Sequence, residues 1–189
     1  MKSSNVRVIT GSAGGLYLKI PPQFNSRPTQ DRIRQAIFSS LGAAVIEARV
    51  LDLYAGTGAL GIEALSRGAA SACFVDAYQE TCRTIRENLE YCRLSGAVVP
   101  QKAVPFLREC KETFDLIFAD PPYIKEKYDL STDPAVLELP PHLNAASTVV
   151  WEHDSRNYWG EEGVLKLRKS VRYGETTVSY LALKSQSRA

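Results

Sequence analysis

Two short stretches of this 189-residue chain combine residue types that do chemistry. The first is Gly56-x-Gly58-x-x-Gly61, directly after an apolar run at residues 50–55 and directly before a helical pattern. Glycines at a strand-to-helix junction allow a tight turn and let a ligand approach backbone N–H groups closely. Asp76 closes the next apolar run, twenty residues after Gly56. A carboxylate there can accept hydrogen bonds from two ribose hydroxyls. Both features suit an adenosine-containing cofactor. Asp52 lies inside the first run and brings a negative charge up to the loop. That charge repels a pyrophosphate and attracts an amine or a sulfonium. With no Gly-Lys-Ser/Thr phosphate loop in the chain, the expected cofactor is S-adenosyl-L-methionine rather than a dinucleotide.

The second stretch is Asp120-Pro121-Pro122-Tyr123, after the apolar run at residues 114–119. The two prolines fix φ and remove two backbone donors, and each holds the residue before it in extended geometry. The result is a stiff segment that presents the Asp120 carboxylate and the Pro121 carbonyl as acceptors beside an aromatic ring. Such a group suits a planar base with an exocyclic NH₂: two acceptors hold the amine hydrogens, and Tyr123 stacks on the ring. Methyl transfer to that nitrogen then needs mostly positioning. Asp120 or water can take the proton afterwards.

These motifs need strands and helices in alternation. Residues 6–10 and 16–20 read as two short strands around Gly11-Ser12-Ala13-Gly14-Gly15. Thr29 is a suitable helix N-cap, and Ile33, Ala36, Ile37, Phe38 and Leu41 form one apolar face. On that pattern Arg32 and Arg34 point away from Ile33 and Ile37, as solvent charges or phosphate contacts. Gly42 ends the helix. Strands are expected at 50–55, 72–76, 98–99, 114–119 and 147–152. Helices are expected after the glycine loop to about Gly68 and at 80–94, 106–110 and 134–139. Residues 164–171 and 176–183 alternate around Arg172-Tyr173-Gly174-Glu175, as an antiparallel hairpin. Strand–helix alternation argues for an α/β fold with a mostly parallel sheet. Trp151 reads as core. Glu152 follows at the C-terminal end of a strand, where such sheets place ligands. Arg172 and Tyr173 fit either an exposed turn, the first reading, or a contact with RNA.

Hydrophobic residues make up 44% and charged residues 23%. Those proportions exclude a disordered chain, a fibrous repeat and a disulfide-dense mini-protein. No apolar run approaches the ~20 residues of a membrane-spanning helix. The first fifteen residues lack the apolar core of a signal peptide, so a cytoplasmic location is expected. Cys73, Cys82, Cys92 and Cys110 stand singly, and the histidines are His142 and His153. No zinc-type spacing occurs, so no metal is expected and the cysteines read as buried thiols. Net charge is +2, unevenly spread. Residues 1–35 carry six Lys/Arg against one Asp, residues 36–160 eleven against seventeen acids, and residues 161–189 six against three. A basic N-terminal extension on an acidic body suits contact with a polyanion.

Residues 52–67 (DLYAGTGALGIEALSR) together with Asp120-Pro121-Pro122-Tyr123 resemble the class I S-adenosylmethionine-dependent amino-methyltransferases. More narrowly, Arg27-Pro-Thr29-Gln-Asp-Arg32-Ile-Arg34 resembles the bacterial 16S rRNA guanine-N2 methyltransferase family (RsmD), with the likeness extending over about residues 6–183. The resemblance implies a Rossmann-like class I methyltransferase sheet, mostly parallel with a C-terminal antiparallel hairpin. Residues 1–48 are then a hairpin-and-helix extension, and residues 49–189 the methyltransferase domain. It implies methyl transfer to N2 of a guanine in small-subunit rRNA, of the guanine(966) type, with base flipping as the route. Gly56, Gly58 and Asp76 would hold the cofactor, with Asp52 near its methionine end. Ala55, Ala103 and Asp120 belong to the same expected set. Asp120, Pro121 and Tyr123 would hold the guanine. Arg27, Thr29, Arg32 and Arg34 would face substrate or RNA. The partner would be 16S rRNA or a 30S particle, met by a monomer. In one respect the chain departs from the family: basic positions of the N-terminal hairpin are here Gly14 and Leu16. DPPY alone also permits DNA adenine N6, DNA cytosine N4 or protein glutamine as acceptor, and the fold permits a non-catalytic RNA-binding assembly factor.

Overall fold

The computed structural model describes residues 6–21, 28–122 and 126–184, with backbone alone for 28–30. Arg27, Tyr123 and the Thr29 side chain therefore lie outside the described residues. A two-stranded antiparallel ribbon comes first, Val6–Arg7 (β1) against Tyr17–Leu18 (β2). It is shorter than the expected strands because the Ile9 and Thr10 N–H groups turn to the Glu63 carboxylate instead of pairing across the ribbon. Helix α1 (Pro28–Leu41) follows. It begins at Pro28, so Thr29 sits in the first turn rather than at the N-cap. Pro is favoured there because its missing N–H falls where no helical bond is made. Gly42, at φ 53°, ends the helix as expected.

Then come β3 (Arg49–Leu53), α2 (Ala59–Ser66), β4 (Ser71–Asp76), α3 (Gln79–Tyr91), β5 (Ala97–Pro100), α4 (Ala103–Glu109) and β6 (Phe114–Ala119). The short helix α5 (Pro134–Leu137) leads to β7 (Leu143–Asp154), and β8 (Leu165–Tyr173) and β9 (Thr176–Leu183) complete the order. Strand β7 is longer than the expected 147–152 at both ends. The seven main strands form one sheet in the order β5-β4-β3-β6-β7-β9-β8. The first five are parallel, and β9 pairs antiparallel with both neighbours. The hairpin is as expected, but its second strand inserts beside β7 and leaves β8 at the edge.

Successive strand residues face opposite sides of the sheet, and two cores result. Val50, Phe74 and Phe118 pack on one side with Ile62 and Ile85. Leu51, Leu53, Ile117 and Trp151 pack on the other with Phe106 and Leu107. The N-terminal extension belongs to the first core: Val6, Val8, Leu18, Ile33, Ile37 and Phe38 are buried in it. It completes a cover that α2 and α3 begin, with Phe38 meeting the Phe118 ring at a centroid distance of 5.6 Å. Trp151 is core as expected. Cys82 and Cys92 are buried, but Cys73 and Cys110 are only partly so, because each lies near the margin of its apolar layer.

Candidate functional site

One register row positions the site. Leu53 pairs with Val75 and with Ala119, and Ala119 with Trp151. The next residues along three of those strands, Asp76, Asp120 and Glu152, are therefore level at the C-terminal ends of β4, β6 and β7. All three continue the side of the sheet occupied by Phe74, Phe118 and Val150. Asp52 has the same parity, two residues after Val50. Four carboxylates thus converge on the face that the N-terminal extension covers. They line a cleft of about 980 Å³ together with residues of α1 and of the β8–β9 turn.

Electrostatics follow from that crowding. Burial pushes the Asp52 carboxyl up to about 8, against the Gly61 N–H and helped by Asp76. Burial also raises Asp120 well above the carboxylate range, and Glu152 and then Asp52 add to it. A cation entering the cleft relieves both, since an opposite charge favours the ionised form.

The loop is held by its own backbone. Tyr54, Gly56 and Gly58 have φ of 57°, 55° and 76°. For Tyr54, a non-glycine in that region, the strain is on the order of 1–3 kcal/mol. Asp76 Oδ2 accepts from the Gly56 N–H at 3.1 Å and Oδ1 from the Tyr78 N–H at 3.0 Å. A carboxylate has about four lone-pair sites, so room for ribose hydroxyls remains. Asp52 Oδ2 accepts from the Gly61 N–H at 2.9 Å.

The three glycines divide their work. Gly56 lines the cleft. Gly58 is in the turn but not at the cleft wall, and a Cβ there would stand 3.2 Å from Ile85. At Gly61 a Cβ would come within 2.3 Å of the Phe74 ring, so this glycine lets α2 pack on β4. Of the expected cofactor residues, Asp52, Ala55, Gly56, Asp76, Ala103 and Asp120 line the cleft, as do Pro121 and Glu152.

Arg34 requires a correction. It is not on a solvent face: it is 5% exposed and lines the cleft beside Ile33 and Ile37. At about 100° per residue, Phe38 extends the apolar stripe past Arg34 and places the arginine inside it. Its Nη2 donates to the Arg7 carbonyl and, at 2.9 Å, to Asp31. Burial lowers its pKa, opposed by Asp31 and Glu63. Arg32 is exposed, as expected.

Three site residues were not anticipated. Glu63, fully buried, accepts from the Ile9 N–H at 2.6 Å, the Thr10 N–H at 3.1 Å and Arg67 Nε at 2.6 Å. It clamps residues 9–10 to α2. Asn88, also fully buried, donates to the Thr57 and Lys19 carbonyls, both at 3.0 Å. It ties the glycine loop to the segment after β2. Tyr78, 65% exposed, stands at the cleft wall beside Asp76. The available signal was that Glu63 stands beside Ile62 and Ala64, and Asn88 beside Ile85 and Leu89, in the apolar runs of their helices.

The family described as conserved hypothetical protein 95 matches residues 6–182. The chain belongs to this family. Ribosomal RNA small subunit methyltransferase D of Escherichia coli K12 is 36% identical over 122 residues, 64% of this chain. That stretch spans 62% of the Escherichia coli protein. The Bacillus subtilis protein YlbH is 33% identical over 180 residues, 92% of this chain and 97% of that one. The solved structure of the Escherichia coli protein yhhF superposes with a TM-score of 0.82 at 26% identity, covering 96% of this chain and 99% of that one. The sheet, with β9 its one reversed strand, is a class I methyltransferase sheet, as the sequence resemblance implied.

Proposed function

We propose that this chain methylates the exocyclic N2 of a guanine in small-subunit rRNA, with S-adenosyl-L-methionine as donor. The register row that aligns Asp76, Asp120 and Glu152 carries the reading, because it sets an adenosine-binding carboxylate and an amine-binding one in a single cleft. The residues fit the cofactor. Asp76 has acceptor capacity for the ribose, and Ala55 and Gly56 give close backbone approach. Asp52 and its neighbours supply the negative environment that an ammonium and a sulfonium need. Ala103 closes the wall at the start of α4. Bound there, the cofactor supplies an electrophilic methyl group.

Asp120 and the Pro121 carbonyl accept the hydrogens of the target amine, and Tyr123 stacks on the base. The raised proton affinity of Asp120 suits it to take the proton that the nitrogen sheds. The partner is 16S rRNA or a 30S particle, met by a monomer in the cytoplasm. Residues 1–48 act as an extension packed on a methyltransferase domain of residues 49–189. The name of the Escherichia coli relative supports the small-subunit target, and the resemblance of residues 27–34 supports N2 of guanine.

The test supplies labelled cofactor with under-methylated 30S subunits, naked 16S rRNA, DNA and protein. N2-methylguanosine in small-subunit rRNA is expected, and mapping gives the nucleotide. Label in DNA or protein, or in no product, overturns the reading.

A further inference from the structure

The basic N-terminal extension presents only part of its charge: among its described residues Arg7 and Arg32 are exposed. Arg34 is buried, and Lys19 is paired with Glu87 at 2.9 Å. A second basic surface is left uncompensated. Strand β8, Leu165–Tyr173, carries Lys166, Arg168, Lys169 and Arg172 and no acidic residue. All four are exposed, and none is ion-paired among the described residues.

This strand is the sheet's outer edge. Its register shifts between Leu167 and Lys169, so Arg168 occupies a bulge and opposes no residue of β9. Lys169 Nζ donates to Ser40 Oγ at 2.9 Å, which ties the strand to α1. At its far end, Tyr173, Gly174 and Glu175 form part of the cleft wall. The charged strand therefore runs directly to the mouth of the site.

Lysines on an edge also discourage strand pairing between molecules. The opposite edge shows that this chain protects edges otherwise: β5, Ala97–Pro100, has no charged residue and is short and proline-ended. Four cations on one edge and none on the other fit a ligand. Evenly exposed cations along a strand suit a phosphate backbone, which takes them without regard to sequence.

We propose that β8 is the docking surface for the phosphates of the RNA strand whose base enters the cleft. The proposal rests on the rRNA-methyltransferase reading and adds where the RNA lies. Arg172 Nε donates to the Gly174 carbonyl at 2.8 Å and so braces the cleft wall. The test compares wild type with the double variant Lys166→Gln, Arg168→Gln, leaving Lys169 on Ser40 and Arg172 on Gly174. Methyl transfer is measured on under-methylated 30S subunits and naked 16S rRNA at several salt concentrations. The expected result is a KM for RNA raised several-fold, with kcat unchanged. The slope of log affinity against log salt should flatten by about 0.7 for each single-strand phosphate that the variant no longer neutralises. Cofactor affinity by calorimetry should not change. Lys166→Arg with Arg168→Lys should keep most of the wild-type affinity.

A double variant with wild-type KM and salt slope overturns the proposal. So does one that aggregates in light scattering while its KM stays at the wild-type value, since that assigns the cations to edge protection. Wild-type protein that methylates no RNA overturns the functional reading instead, and is distinguished by failing before any variant is made.

Discussion

In the half of the sheet built from β3, β4 and β5, the working residues are close in sequence. Asp52, the glycine loop and Asp76 fall within twenty-five residues, and each is fixed by hydrogen bonds to nearby N–H groups. In the half built from β6, β7, β9 and β8, Asp120, Glu152 and Tyr173–Glu175 come together over more than fifty residues. Their alignment depends on sheet register and on a strand inserted out of order. The first half is thus a local device, repeated wherever a strand, a turn and a helix recur. The second half is a product of topology, and under the proposed function the first takes the cofactor and the second the substrate.

Asp120→Asn tests that division most severely. It should cut methyl transfer by roughly a thousandfold, within the range for a missing proton acceptor, while calorimetry shows cofactor affinity within about threefold. If cofactor binding falls as steeply as transfer, the halves are not separable. Asp76→Ala should act the other way round and weaken cofactor binding roughly 10–100-fold. It also leaves the Gly56 and Tyr78 N–H groups without their acceptor, at about 1–3 kcal/mol in urea unfolding. A third variant sharpens the reading of the glycines. Gly61→Ala drives a methyl into the Phe74 ring and should cost about 1–3 kcal/mol of stability, with cofactor affinity per folded molecule unchanged.

The smallest effect is a pH dependence. Asp52, raised to about 8 by burial, must lose its proton to pair with a cationic ligand. Cofactor affinity should therefore rise with pH up to about 8, by at most about tenfold per unit, and level off above. The stability of the cofactor-free chain moves oppositely. Protonated Asp52 is favoured in the folded state, so stability falls as pH rises from the ordinary carboxylate range toward 8. Asp52→Asn should shrink both dependences to what Asp120 contributes; a binding curve flat in the wild type removes Asp52 from the cationic site.

The same division governs what could be read from the sequence. Strands β3, β4 and β6 were legible because buried parallel strands are short continuous apolar runs, ended here by Gly56, Asp76 and Asp120. The glycine loop and Asp76 were legible because they end two successive strands of one strand–turn–helix–strand unit, twenty residues apart. Nothing in residues 164–183 says that β9 slots between β7 and β8, since period-two alternation fits either order. Arg34 falls on the wrong side when the helix face is centred on Ile33 and Ile37, because Phe38 widens that face past the arginine. Glu63 stayed hidden because its donors, the Ile9 and Thr10 N–H groups, lie more than fifty residues away.

The out-of-order insertion of β9 also has a consequence for synthesis. Strand β8 leaves the ribosome before β9, yet among the described residues its one neighbour in the sheet is β9. A nascent chain that stops short of β9 has already made every carboxylate of the cleft, but it has no place to dock β8. The wall formed by the β8–β9 turn, and the basic edge beside it, can close only when the last strand is laid down. Long-range pairing of this kind forms late and slowly, so a chain released before β9 is complete has no formed β8 edge at the mouth of the cleft.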